Sequence, residues 1–168
     1  GGNCGSSLAP LGSPDAIGGI RKWADISQIN INWATFEEYL EQISTLRPGI
    51  NFGSFVGYGT LRRGVIADAV RLLTPDEKEK IKFLLANSLD QGAFGLSMGL
   101  SYGHEAVSPT EELIEIARVL QEKDGILKVH LRSEGKGLLA AINEVVRIGR
   151  EAGVSIQISH LKAIGAKS

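Results

Sequence analysis

The sequence predicts an α/β fold in which parallel strands alternate with helices around part of a (β/α) barrel. Three observations predict it. Short β-type runs alternate with amphipathic helical repeats along 168 residues. The helices carry sharp start and stop signals. The runs 129–134 and 158–162 each place a histidine, His130 and His160, where a strand pattern ends, and in a β/α barrel the C-terminal strand ends build the site.

The elements follow in order. Residues 6 to 32 are rich in Gly, Ser and Pro and read as a long loop, with Ile20, Trp23 and Ile26 forming a short helical turn or a cap. Phe36, Leu40 and Ile43 then fall at helical spacing over 35–46, with Thr35 as N-cap and Pro48-Gly49 as the stop. Residues 50–56 alternate like a strand, and a Gly-Tyr-Gly turn and a polar stretch follow. Thr74, Pro75 and Glu77 form a capping box with proline at the first helical position, opening a helix over 75–90.

The alternation then repeats. Ala93 to Ser97 reads as a buried strand. Ser108-Pro109-Thr110-Glu111 reads as a second capping box, opening a helix with Leu113, Ile116, Ala117 and Leu120 on one face. Ile126 to Leu131 is the next strand. Leu138, Ile142, Val145 and Gly149 stripe a third helix that stops at Gly153, and Val154 to Ser159 is the last strand. Four β segments alternating with helices imply crossover connections and a parallel sheet. A complete eight-fold barrel needs about 250 residues, so the chain supplies about half of one. It is expected to form one partial barrel domain over 1–168, with the loop and an inserted helix at about 6–48. The start at Gly1-Gly2-Asn3-Cys4-Gly5 and the end at Ala163 to Ser168 read as cuts in a longer protein.

Composition narrows the function classes. With 43% hydrophobic residues and a net charge of −1, the chain can bury a sizeable core and offers no basic surplus for nucleic acid. No run approaches the length of a membrane helix, so no membrane partner is expected. The single cysteine excludes an internal disulfide and fits a reducing, cytoplasmic compartment.

The chemistry gathers at the strand ends. Alternation puts Lys128, His130 and Arg132 on one face of their strand, with Val129 and Leu131 on the other. Such a polar face serves a site, or else His130 is a satisfied core histidine or lies on a surface edge strand. His160 repeats the arrangement with Lys162 two residues on. Neutral imidazoles bind zinc, and an ammonium holds a carboxylate. Two such strand ends one β/α unit apart favour a metal. Cys4 alone is either a ligand or a small buried hydrophobe. His104 is expected in a surface loop.

Together these residues resemble a family. The carrying motifs are Gly2-Asn3-Cys4-Gly5 with Pro10, then Gly92 to Ser97 with Gly99-Leu100 and Tyr102. His130-Leu131-Arg132-Ser133-Glu134, Asn143-Glu144 and Ser159-His160-Leu161-Lys162 complete them. In these motifs, over essentially its whole length, the chain resembles the N-acyl-D-amino-acid deacylases (D-aminoacylases) of the amidohydrolase superfamily. The resemblance implies a metal-dependent TIM barrel that hydrolyses the amide of N-acyl-D-amino acids to a carboxylate and a D-amino acid. A relative acting on another acylated amine or cyclic amide is the nearby alternative.

The resemblance also implies roles. Cys4, His130 and His160 become ligands for zinc, one ion or two, with the cysteine standing where many relatives use a carboxylated lysine. Lys162 and Tyr102 match substrate positions, and Arg132 lies beside them. The family's first-strand His-x-His pair and its last-strand Asp, the general acid/base, have no counterpart here. The chain therefore offers no catalytic residue of its own and alone is expected to be a catalytically incomplete half barrel. Its open edges favour self-association. Where relatives commonly carry a histidine this chain has Tyr58, a change expected to touch the pocket.

Overall fold

The computed structural model describes residues 4–20, 25–28 and 30–165. Gly2, Asn3, Trp23 and residues 166–168, all named above, lie outside the described residues. Sharp local signals set the helix ends. Helix α1 (Phe36–Thr45) opens on Thr35, whose side chain accepts from the Glu38 N–H while the Glu38 carboxylate returns to the Thr35 backbone. Within α2–α6, α2 is Tyr58–Ile66, α3 is Pro75–Asp90, α4 is the single turn Gly103–Ala106, α5 is Thr110–Gln121 and α6 is Leu138–Ala152. Helix α3 starts on the predicted Thr74–Glu77 capping box with Pro75 at its head. Helix α6 stops at Gly153, whose φ of 70° is the left-handed conformation glycine adopts without steric cost.

Strands β1 (Val56–Gly57), β2 (Gly95–Gly99), β3 (Ile126–His130) and β4 (Ser155–Ile158) form one parallel sheet in the order β1-β2-β3-β4. Each strand pairs with the next in sequence, as in an arc of a barrel. The register pairs Ser97 with Lys128 and Lys128 with Gln157, and Gly99 with His130. Leu96, Met98, Leu127 and Val129 therefore share one face. They are fully buried with Ile81 and Leu85 of α3, Leu113, Ile116 and Leu120 of α5, and Val145 and Ile148 of α6. The other face presents Ser97, Gly99, Lys128 and His130.

Three elements depart from the sequence reading. The strand expected over 50–56 shrinks to Val56–Gly57, because its only ladder is to Leu96 and Ser97. The polar stretch after it is helix α2. Its Arg62 is fully buried, donating to the Tyr58 hydroxyl (3.2 Å), the Ser108 Oγ (2.9 Å) and the Glu112 carboxylate (2.8 Å). That same network takes the Ser108 hydroxyl, so the expected second capping box does not form and Pro109 caps α5 without a side-chain bond. Tyr58, expected to touch the pocket, is buried and donates to Glu112 at 2.6 Å. His104 lies in α4 rather than in a loop, with its side chain 11% exposed near Asp68. No helix among the described residues is long and apolar enough to cross a membrane.

Candidate metal centre

Three segments converge at one end of the sheet, two of them loops that leave strands β3 and β4. The first carries Cys4, and its backbone is unusual: Cys4 and Gly5 both have positive φ, 46° and 79°. A non-glycine residue in that region costs free energy unless its surroundings hold it there. Here they do. The Gly5 N–H donates to Ser97 Oγ, the Ser7 N–H to Thr60 Oγ1, and the Gly57 N–H to Ser7 Oγ. Glycines make the approach possible: a Cβ on Gly99 would sit 2.4 Å from the Cys4 carbonyl oxygen, and one on Gly57 2.6 Å from that of Gly5. Buried Glu105 closes this corner by accepting the Gly99 N–H at 2.7 Å.

The second loop begins at His130, the last residue of β3, and the third at His160, just beyond β4. His160 also has positive φ, 38°. The Cys4 Sγ lies 3.7 Å from His130 Nδ1 and 3.6 Å from His160 Nε2, and the two nitrogens are 3.0 Å apart. These three donors form a group able to hold a metal ion.

The donor triangle can be tested against an ion. Tetrahedral zinc with Zn–S of about 2.3 Å and Zn–N of about 2.0 Å places sulfur and nitrogen about 3.5 Å apart and two nitrogens about 3.3 Å apart. The sulfur–nitrogen edges match and the nitrogen–nitrogen edge is slightly short. One thiol and two imidazoles, held by three separate segments with a side open to solvent, fit a zinc site with a free position. Burial raises the Cys4 thiol above its ordinary pKa, against the pull of the Lys128 charge and a hydrogen bond with Tyr102. A bound cation would reverse that balance and hold the thiolate.

Around the donors stand the other predicted residues. Tyr102 lays its ring against His130, centroids 5.1 Å apart, and meets the Cys4 thiol. Lys162, half-exposed, lies 3.2 Å from Glu134. Arg132 does not join them. Its Nε and Nη2 donate to Glu144 of α6, its Nη1 to the Ala106 carbonyl and its Nη2 also to the Ser108 carbonyl, so the guanidinium is spent on the frame. That also gives Asn143-Glu144 its place in the motif set. Glu134 is the residue sequence reasoning gave no role. Its carboxylate meets both His160 Nδ1 (2.8 Å) and Lys162, and the only signal was its position four residues after His130. Burial pushes the Glu134 carboxyl up, but hydrogen bonds from His160 and Lys162 outweigh this and hold it below the usual range.

The chain is 35% identical over 164 residues to the D-aminoacylase of Alcaligenes xylosoxydans xylosoxydans. Over nearly its whole length the chain is similar to D-aminoacylases. The match covers 98% of this chain and 34% of that relative, so the chain spans about a third of its length. Among solved structures, a D-aminoacylase studied for its binuclear metal centre superposes with a TM-score of 0.84 at 36% identity, over 97% of this chain and 34% of that one. The N-acyl-D-glutamate deacylase of Bordetella bronchiseptica, in complex with zinc and a phosphonate inhibitor, follows at 0.80 and 32%, over 92% and 32%. No family model matches. The expected barrel fragment is thereby supported: the parallel α/β arc corresponds to about a third of a D-aminoacylase chain.

Proposed function

We propose that the chain is the metal-holding arc of a zinc-dependent N-acyl-D-amino-acid deacylase, hydrolysing an amide to a carboxylate and a free D-amino acid. One observation carries the reading: Cys4, His130 and His160, 126 and 30 residues apart in succession, bring three soft donors within 3.7 Å. In this reading they hold zinc, as one ion or as part of a pair. A zinc ion there would polarise the acyl carbonyl and bring the pKa of water toward about 7.

The chain's own residues do the rest. Lys162 offers an ammonium to the carboxylate of the amino acid. Tyr102 also walls the cluster, its ring against His130 and its hydroxyl beside Cys4. Arg132 keeps the loop after β3 attached to α6, and so acts on His130 through the frame. Hydrolysis adds water across the acyl carbon, breaks the C–N bond and delivers a proton to the departing amine. That proton needs a general acid, for which this stretch supplies no residue among those at the cluster. The arc is therefore a binding and polarising element of a larger site. We place it in a reducing compartment, consistent with a cysteine ligand, and expect the outer strands β1 and β4 to draw a second copy or the remaining strands.

Zinc content after loading and desalting tests the reading, compared between the chain and Cys4→Ser. Near-stoichiometric zinc that falls in the variant supports it. Absence of zinc from both overturns the claim that this arc organises its own ligands. Release of a D-amino acid by the isolated chain would instead show that the arc is catalytically sufficient.

A further inference from the structure

His160 reaches the cluster through Nε2 and turns its other ring nitrogen, Nδ1, to Glu134 Oε1 at 2.8 Å. The second oxygen of the same carboxylate lies 3.2 Å from Lys162 Nζ. The Glu134 side chain is only 9% exposed, whereas His160 and Lys162 are 36% and 51% exposed. The more enclosed partner therefore sets the positions of the two more exposed ones. Glu134 also belongs to the loop that carries His130, and its backbone carbonyl accepts the Ile164 N–H at 2.7 Å, just beyond Lys162. The loops after β3 and β4 are thus tied together at this residue.

We propose that Glu134 is a positioning residue that serves two groups at once. By accepting from Nδ1–H it fixes His160 in the tautomer whose Nε2 lone pair faces Cys4 and His130, and by its other oxygen it holds the Lys162 ammonium beside them. A histidine in the opposite tautomer would point an N–H at the other two donors and could not ligate. The purpose assigned to Glu134 rests on the metal reading given above. Its geometry does not.

The fixed spacing between metal ligand and cation follows from this arrangement. A substrate whose carbonyl lies near the donors and whose carboxylate lies near Lys162 meets both through one rigid carboxylate. The two ends of the site are therefore coupled, and loss of Glu134 releases both.

The test uses the 168-residue chain with Glu134→Gln and Glu134→Ala. Long-range proton–nitrogen NMR of the metal-free protein reads the His160 tautomer, and the ammonium region reads whether Lys162 is held. Zinc affinity is measured by competition with a chelator. In the parent, His160 is expected as the Nδ1–H tautomer with a visible Lys162 ammonium signal. Glu134→Gln keeps the tautomer, because an amide oxygen still accepts, and loses the Lys162 signal. Glu134→Ala loses both and binds zinc about tenfold or more weakly, the usual scale for removing the partner of a ligating histidine. An Nε2–H tautomer in the parent, or an unchanged tautomer and zinc affinity in Glu134→Ala, overturns the proposal. The expected tautomers without zinc uptake by any variant would leave Glu134 as the positioning residue and sink the metal reading alone. A merely structural role would lower thermal stability without moving the tautomer.

Discussion

Two polar clusters in this chain serve opposite ends. Arg62, Tyr58, Ser108 and Glu112 lie behind the sheet, fully enclosed, and answer one another with donors and acceptors at 2.6–3.3 Å. Cys4, His130 and His160 lie at the C-terminal rim, half open to solvent, and aim their donor atoms at one another rather than at complementary partners. They are also braced from outside, Cys4 by the Tyr102 hydroxyl and His160 by the Glu134 carboxylate. A closed cluster of matched charges holds structure together. A cluster whose members face a common point and are braced from behind is built around something else.

The largest effect expected from this contrast lies in the closed cluster. Glu112→Ala strands the fully buried Arg62 charge, and removing one partner of a buried pair typically costs about 3–5 kcal/mol. Denaturant unfolding should register that loss while the tautomer of His160 stays put. Replacing both Arg62 and Glu112 with apolar residues of similar size should recover most of it, because no uncompensated charge remains. If Glu112→Ala proved nearly silent, the distinction between the two clusters would fail at its structural pole.

The rim cluster should answer in the opposite way. Cys4→Ser removes a direct ligand, so zinc affinity should fall by at least roughly hundredfold, about 2.7 kcal/mol, the upper end of what removing a mere supporting residue does. Stability of the metal-free chain should hardly change, since serine is nearly the same size and Cys4, only partly buried, lies outside the buried hydrophobic core. A large loss of metal-free stability would mean that the thiol is a packing element.

How much of this was readable beforehand divides along the same line. Local chemistry was legible: Thr74-Pro75-Glu77 opened α3, Gly153 closed α6, and the alternation around His130 put Val129 and Leu131 in the core. The donors themselves were also legible, because strand ends in a β/α alternation face one rim. Partner choice across the chain was not. Helix α2 hid in a Gly-Tyr-Gly sequence because its stability comes from Arg62 reaching Ser108 and Glu112, 46 and 50 residues away. The same network withdrew Ser108 from its expected cap. Arg132 shared a face with His130 by alternation, yet it stands beyond the end of β3, where alternation no longer governs direction, and Glu144 claimed it. Glu134 was passed over because nothing local distinguishes a bracing carboxylate from a solvated one.

A substitution at the boundary sharpens the contrast between frame and site. Gly99 is the register partner of His130, and a methyl group there would meet the Cys4 carbonyl and the Tyr102 ring, at 2.4 and 2.5 Å. Gly99→Ala should therefore cost about 1–3 kcal/mol, the usual penalty of forcing an extra carbon into a packed place. It should also weaken zinc binding, because the backbone that carries Cys4 must shift. Gly49→Ala is the matching control, since nothing lies within 4 Å of a Cβ there. Stability lost without any change in zinc affinity would separate Cys4 from the strand that the contacts say supports it.

The smallest effect belongs to the start of α3. Thr74→Ala removes the acceptor for the Glu77 N–H and should cost about 1 kcal/mol. Glu77 adds a pH signature to that cap. Hydrogen bonds from Arg71, and then from the Thr74 backbone, lower its carboxyl to about 2 from an ordinary 4.5. A carboxyl depressed by folding stabilises the fold fully above its unfolded value and loses that contribution as the pH falls through its folded value. The stability gap between the parent chain and Glu77→Gln should therefore be widest above pH 4.5 and narrow between there and pH 2. Followed by denaturant unfolding at several pH values, a gap that instead widened on acidification would mean that Glu77 is held protonated, and that the cap is made by the threonine alone.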